Sequence, residues 1–210
     1  HTKDKPVDFM IMLGDNAYQD GTDEEYQQKV FGNEFGYDSI LRYLHYYPTP
    51  GNHDYNILRA GSILDYLDPT IDYGPYYDIH EMFKNGEAGG VPSGTEIYYS
   101  FDYGHVHFIS LNSETFQYTR TDPSPMKTWL RKDLEANKLP WTIAIWHQPP
   151  YTAGSHVSDD SYEFMMMHMR KYMNPILEEA GVDLVLNGHS HVYERTRLMN
   201  GFYLNTWAFD

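Results

Sequence analysis

The sequence predicts a single α/β domain whose reactive loops gather at the ends of its strands. Three short apolar runs, VDFMIML (7–13), WTIAIW (141–146) and VDLVLN (182–187), each stop at a loop rich in Gly, Pro, Asp or His. Stretches of helical spacing lie between them, the alternation expected of an α/β fold. A length of 210 residues suffices for one core, and no repeat or low-complexity linker divides it.

In chain order, VDFMIML reads as a buried strand running into GDNAYQDG. Residues 24–44, with VFGNEFGYDSILRYL at their centre, read as helical. Residues 61–97 are rich in Gly, Pro and Tyr and predict an irregular excursion over the surface. YYSFDYGHVHFISLN (98–112) is aromatic and β-branched, hence strand-like. SPMKTWLRKDLEANK (124–138) sets Met126, Trp129, Leu130 and Leu134 at helical spacing, behind Ser124 as cap and Pro125 in the first turn. WTIAIW reads as a strand ending in HQPPY. FMMMHMRKYMNPILEEAG (164–181) reads as a helix stopped by its Gly, and VDLVLN as the strand that ends in GHSH.

Composition narrows the chemistry. Thirty acidic against fifteen basic residues give a formal charge of −15, which argues against a nucleic-acid backbone or an anionic membrane as main partner. Bound multivalent cations would offset part of that excess. With no cysteine in the chain, any metal must be held by oxygen and imidazole. No apolar run approaches the roughly 18 residues of a membrane span.

The polar residues that follow the strands form one list: Asp15 and Tyr18 from GDNAY, Asn52, His53 and Asp54 from GNHD, His147 from IAIWH, and His189 and His191 from GHSH. Taken singly, Asp15 and Tyr18 read as turn residues, and His147 as a core histidine. Together they offer carboxylate, phenol, amide oxygen and imidazole, donors that suit Zn, Fe or Mn. One ion needs about three or four protein ligands, so the surplus suggests two ions sharing a carboxylate. The pair His105 and His107 precedes no loop and reads as strand packing or exposed surface, and His168 as structural. The methionine run reads as core.

These four motifs, in this order, resemble the metallophosphoesterase (calcineurin-like) superfamily and specifically its purple acid phosphatase branch, as does HVYER after the last. The resemblance implies a β-sandwich flanked by helices (αββα layers) across 1–210 and two metal ions, iron plus a divalent ion (Zn, Mn or Fe). Asp15 would bridge, Tyr18 and His191 would bind iron, and Asn52, His147 and His189 would hold the divalent ion. His53 would face the phosphate. His156, nine positions after His147, matches a histidine the branch places near the leaving group. The implied activity is hydrolysis of small phosphomonoesters in acid by metal-held hydroxide, outside the cytoplasm (extracellular or periplasmic). A phosphodiesterase or nucleotide-cleaving relative, and a non-catalytic protein on a degenerate scaffold, are the alternatives.

The branch's first motif, GDxG, is absent. The expectation is therefore a domain shortened at its N-terminus, lacking its first core strand. The same expectation extends to the C-terminus, where the sequence stops at Asp210, soon after the last motif.

Overall fold

The first apolar run forms β1, Phe9–Met12, which pairs in parallel with β2, His45–Pro48, in the register Phe9↔His45 to Met12↔Pro48. A second sheet holds β3 (Tyr99–Tyr103), β4 (Val106–Ser110), β5 (Trp141–Ile145) and β6 (Leu184–Leu186) in that order. Its first pair is antiparallel, and β4, β5 and β6 run parallel. This computed structural model describes residues 6–34, 36–55, 74–115, 119 and 122–204.

Alternation along each strand sends side chains into two different layers. Phe9, Ile11 and Tyr47 of the small sheet meet Tyr99, Phe101 and Phe108 of the large one. Their rings pack closely, with Tyr47 stacked on Phe101 at 4.1 Å and Phe9 edge-on to Phe108 at 5.4 Å. On the far face, Ile109, Leu111, Ala144 and Trp146 meet Met126, Trp129 and Leu130 of α4 (Pro125–Ala136). Burying a side chain such as Leu130 or Ile109 contributes roughly 1.5–3 kcal/mol each. Met169, Met173, Ile176 and Leu177 complete that layer. They belong to α5 (Phe164–His168), a π-helical turn (Met169–Met173) and α6 (Asn174–Glu179). The wide turn precedes Pro175, which has no N–H to bond the turn before it.

The outer face of the small sheet carries α1 (Asp23–Glu25) with its π-helical continuation Tyr26–Val30, α2 (Asp38–Leu41) and α3 (Pro75–Ile79). Tyr26, Val30 and Tyr76 share a buried cluster there, and Tyr46 meets His80 edge-on at 5.5 Å. The layers thus run helix, sheet, sheet, helix, a mixed α/β fold of the expected class. Among the described residues no helix is long and apolar enough to cross a membrane.

Several expected elements differ. The helix expected over 24–44 is two short pieces, α1 with its π-helical turn and α2, because glycines 32 and 36 interrupt it. Thr22 caps the first piece through a capping box with Glu25. The strand expected over 98–112 is a hairpin, since Gly104, at φ +59°, turns the chain between β3 and β4. His105 falls in that turn, whereas His107 is buried between Asp102 and Asp133, so it is neither surface nor plain packing. Within the 61–97 excursion α3 is helical, and residues 61–73 lie outside the described residues. β1 and β6 are only partly buried, with Leu184 46% exposed, because each ends its sheet among the described residues.

Candidate metal centre

Four of the strands end at one edge, and the loops that leave them meet there. Asp15 and Tyr18 follow β1, Asn52 and His53 follow β2, His147 follows β5, and His189 and His191 follow β6. Crevices at the carboxyl ends of strands are where α/β folds place ligands. Gly14, at φ +86°, is required twice over: the backbone is left-handed, and a Cβ there would collide with the His147 imidazole. At Gly51 a Cβ would strike the backbone and carboxylate of Asp15. Glycine in these motifs therefore lets the loops close on one another.

The inner group is a set of lone pairs facing a common point. His147 Nδ1 lies 2.7 Å from the carbonyl oxygen of Leu13, so its hydrogen sits on Nδ1 and Nε2 faces inward. Around Nε2 lie Asp15 Oδ2 at 3.1 Å, Asn52 Oδ1 at 3.2 Å and His189 Nδ1 at 3.1 Å. His189 Nδ1 and Asn52 Oδ1 are 3.0 Å apart. Donors about 2.0–2.1 Å from a tetrahedral ion stand roughly 3.3 Å from each other, so these separations suit one cation. The outer group shares the same carboxylate oxygen. Tyr18 Oη lies 3.1 Å from Asp15 Oδ2 and 3.0 Å from His191 Nε2.

Electrostatics fit a cation. Burial alone would raise the Asp15 carboxyl, but the His147 hydrogen bond and charge, with the His53 N–H, bring it down to about 2. His189 is lowered to about 3 by burial and by the neighbouring His147 and His156, which leaves it neutral, as a ligand must be. His147 is pushed up to about 9: burial opposes its charge, and Asp15 with Glu114 outweigh burial. A proton on His147 and a cation compete for the same negative pocket. The Tyr18 phenol is raised by burial and by Asp15, so it ionises only for a strongly positive partner.

The sequence profile of the family described as Calcineurin-like phosphoesterase matches residues 1–193. The chain belongs to that family. Among similar calcineurin-like phosphoesterases, Purple acid phosphatase 18 of Arabidopsis thaliana is 37% identical over 111 residues, 51% of this chain and 24% of that protein. Purple acid phosphatase 22 of the same plant is 28% identical over 207 residues, 93% of this chain and 40% of that protein. The fold is similar to that of a purple acid phosphatase, PPD1, from yellow lupin (Lupinus luteus) seeds, with a TM-score of 0.58 at 21% identity over 87% of this chain and 30% of that one. The chain thus spans well under half the length of these relatives.

In this member of the calcineurin-like phosphoesterase family the two histidines expected near substrate flank the donor groups. His53 stacks obliquely on Tyr18 with ring centroids 4.6 Å apart, gives its backbone N–H to Asp15 Oδ1 at 2.9 Å, and commits Nδ1 to the Gln19 carbonyl at 2.5 Å. His156, placed by spacing alone, lies 4.1 Å from the His189 ring centroid and 6.2 Å from that of His191. A cavity of about 350 Å³ opens over the group, lined by Asp15, Tyr18, His147, His189, His191 and Tyr193 among others.

Sequence reasoning missed the supports. Asp54, a residue of the GNHD motif, is buried and accepts from the N–H groups of Asn16 and Gly51 and from the Tyr26 hydroxyl, tying the loops after β1 and β2 together. Glu114 is buried behind His147, accepting from Ser113 and Gln148, and burial pushes its carboxyl up. Glu163 holds His156. Glu114 and Glu163 belong to no motif, and only the fold brings them to the site.

Proposed function

We propose that this chain carries the hydrolytic centre of a two-metal phosphomonoesterase working in acid, with iron and a divalent ion (Zn, Mn or Fe) as cofactors. The observation that carries the reading is the position of Asp15 Oδ2 in both donor groups at once. Asp15, Asn52, His147 and His189 would hold the divalent ion, and Asp15, Tyr18 and His191 the iron. When bound, such ions polarise a phosphoryl oxygen and lower the pKa of water.

The chain's own residues supply orientation and protons. His53 has Nδ1 committed to Gln19, so Nε2 is the nitrogen it offers to a phosphoryl oxygen. His156 has Nδ1 committed to Glu163, so a proton passed to the leaving alcohol comes from Nε2. The Leu13 carbonyl holds the His147 ring, and Trp146 and Glu114 near it are buried. A cavity of about 350 Å³ suits a small phosphate ester. The same reading puts the protein outside the cytoplasm, extracellular or periplasmic, which fractionation of the source cells tests.

The deciding experiment measures hydrolysis of a chromogenic phosphate monoester and a diester at acid pH, with and without chelator, on protein of known metal content. The expected result is monoester hydrolysis abolished by chelator, with about two metal ions per chain. Preference for the diester would replace this reading by the phosphodiesterase one. Activity indifferent to chelation would overturn both.

A further inference from the structure

Glu163 stands at the start of α5, 8% exposed, with its carboxylate turned towards two histidines. Oε1 lies 2.6 Å from His156 Nδ1, and Oε2 lies 3.5 Å from His189 Nε2. The two rings lie 4.1 Å apart at a 42° tilt, so one carboxylate spans the edges of both. We infer that Glu163 is a positioning residue of the catalytic site, setting which nitrogen of His156 and of His189 carries the hydrogen. The inference rests on the hydrolytic reading above.

An ionised carboxylate only accepts hydrogen bonds, so the hydrogen between Glu163 and His156 belongs to Nδ1 of the imidazole. His156 is thereby left to act through Nε2. On His189 the requirement is reversed. Its Nδ1 faces Asn52 and His147 and must be bare to serve as a ligand, which places the ring hydrogen on Nε2. That nitrogen is buried, and among the described residues it has no hydrogen-bond partner closer than the Glu163 oxygen at 3.5 Å. Hydrogen bonds of this kind are often long in a free enzyme and shorten when the site is loaded.

Two blander roles fit less well. Glu163 occupies the N-cap position of α5, yet its side chain makes no capping hydrogen bond. A cation held by His156, Glu163 and His189 would set its donor atoms about 3.3 Å apart. The observed 2.6 Å between His156 Nδ1 and Oε1 is the distance of a hydrogen bond from imidazole to carboxylate. A carboxylate behind a ligating histidine fixes ring orientation and raises ligand basicity.

The test compares the chain with E163A and with E163Q, which keeps the size of the side chain in case alanine prevents folding. On metal-free protein, ¹⁵N imidazole spectra read the tautomers directly. His156 is expected to move from the Nδ1–H to the Nε2–H form in E163A. On metal-loaded protein, kcat is expected to fall about 10–100-fold in E163A, with KM within threefold. E163Q, which keeps one acceptor oxygen, is expected to fall in between. A structural role would lower the folded fraction and leave kcat per loaded site unchanged. Wild-type kcat and unchanged tautomers in both variants would overturn the role of Glu163 while the parent remains an enzyme. A loaded parent that hydrolyses neither monoester nor diester would overturn the hydrolytic reading itself.

Discussion

His147 and Leu13 are joined at 2.7 Å between the imidazole Nδ1 and a backbone carbonyl oxygen, across 134 positions of sequence. The bond ties the end of β5 to the end of β1 and aims the other ring nitrogen at Asp15. A residue that would pass for a core histidine bonded to backbone turns its second nitrogen to Asp15, Asn52 and His189.

Removing the shared oxygen should empty both donor groups. Asp15→Ala is expected to lose iron, the divalent ion and activity together, measured by elemental mass spectrometry and monoester hydrolysis. His53→Ala should keep both metals and lose about 10²–10³ in rate. A metal-free Asp15→Ala protein with wild-type activity would refute the assignment.

Colour should report on a single residue. The Tyr18 phenol is held un-ionised by burial and by Asp15, so metal-free protein should show no phenolate band at neutral pH. Loading with ferric iron should produce a visible tyrosinate band, and Tyr18→Phe should lose it while retaining the divalent ion. Absorption spectra on the two proteins decide this.

Metal binding should release a proton. His147 is charged below about pH 9 in the metal-free site, whereas Asp15, at about 2, is already ionised. A cation entering between pH 6 and 8 therefore displaces roughly one proton, and divalent-metal affinity should rise with pH up to about 9. Calorimetry in two buffers of different ionisation enthalpy counts the proton. Release of none would mean that His147 is already neutral before metal enters, against the raised pKa that Asp15 and Glu114 give it.

Stability should hinge on a second histidine outside the donor groups. His107 bridges Asp102 at 2.6 Å and Asp133 at 2.8 Å, and Asp133, on α4, also accepts from Ser100 and from the Val91 N–H. Burial opposes the imidazolium, and the two carboxylates outweigh it and raise His107. Its folded-state pKa thus lies above the unfolded value near 6.5, so the stabilisation is complete below that value and is lost as pH rises through the folded one. His107→Ala should cost about 3 kcal/mol at pH 6 by leaving Asp133 buried with its cation removed. Denaturation midpoints of wild type and variant should differ at pH 6 and draw together at alkaline pH.

The candidate donors were legible because each motif couples a strand end with a ligand type, three of the four with a glycine between them, and the four occur in order. The helix over 125–136 was legible for a similar reason, with Ser124 and Pro125 marking its start. β2 was not, because HYYP carries no alternation to separate it from the helical residues before it. The hairpin at Gly104 was read as one strand since a lone glycine inside an aromatic run also fits a bulge. His107 and Glu163 escaped for a deeper reason. Their meaning lies in partners on other elements, Asp133 on a helix and His189 on a strand end, and nothing local to either residue signals that meeting.

Three residues other than glycine hold a left-handed backbone among those described, Asp15 at φ +53°, His189 at φ +63° and His191 at φ +53°. All three belong to the donor groups, and each such conformation costs on the order of 1–3 kcal/mol. Glycine would sit there without strain. Selection of this protein for thermal endurance alone would therefore drift towards glycine at those positions and return a sturdier fold stripped of its chemistry. Any programme to harden it has to assay metal retention at every round.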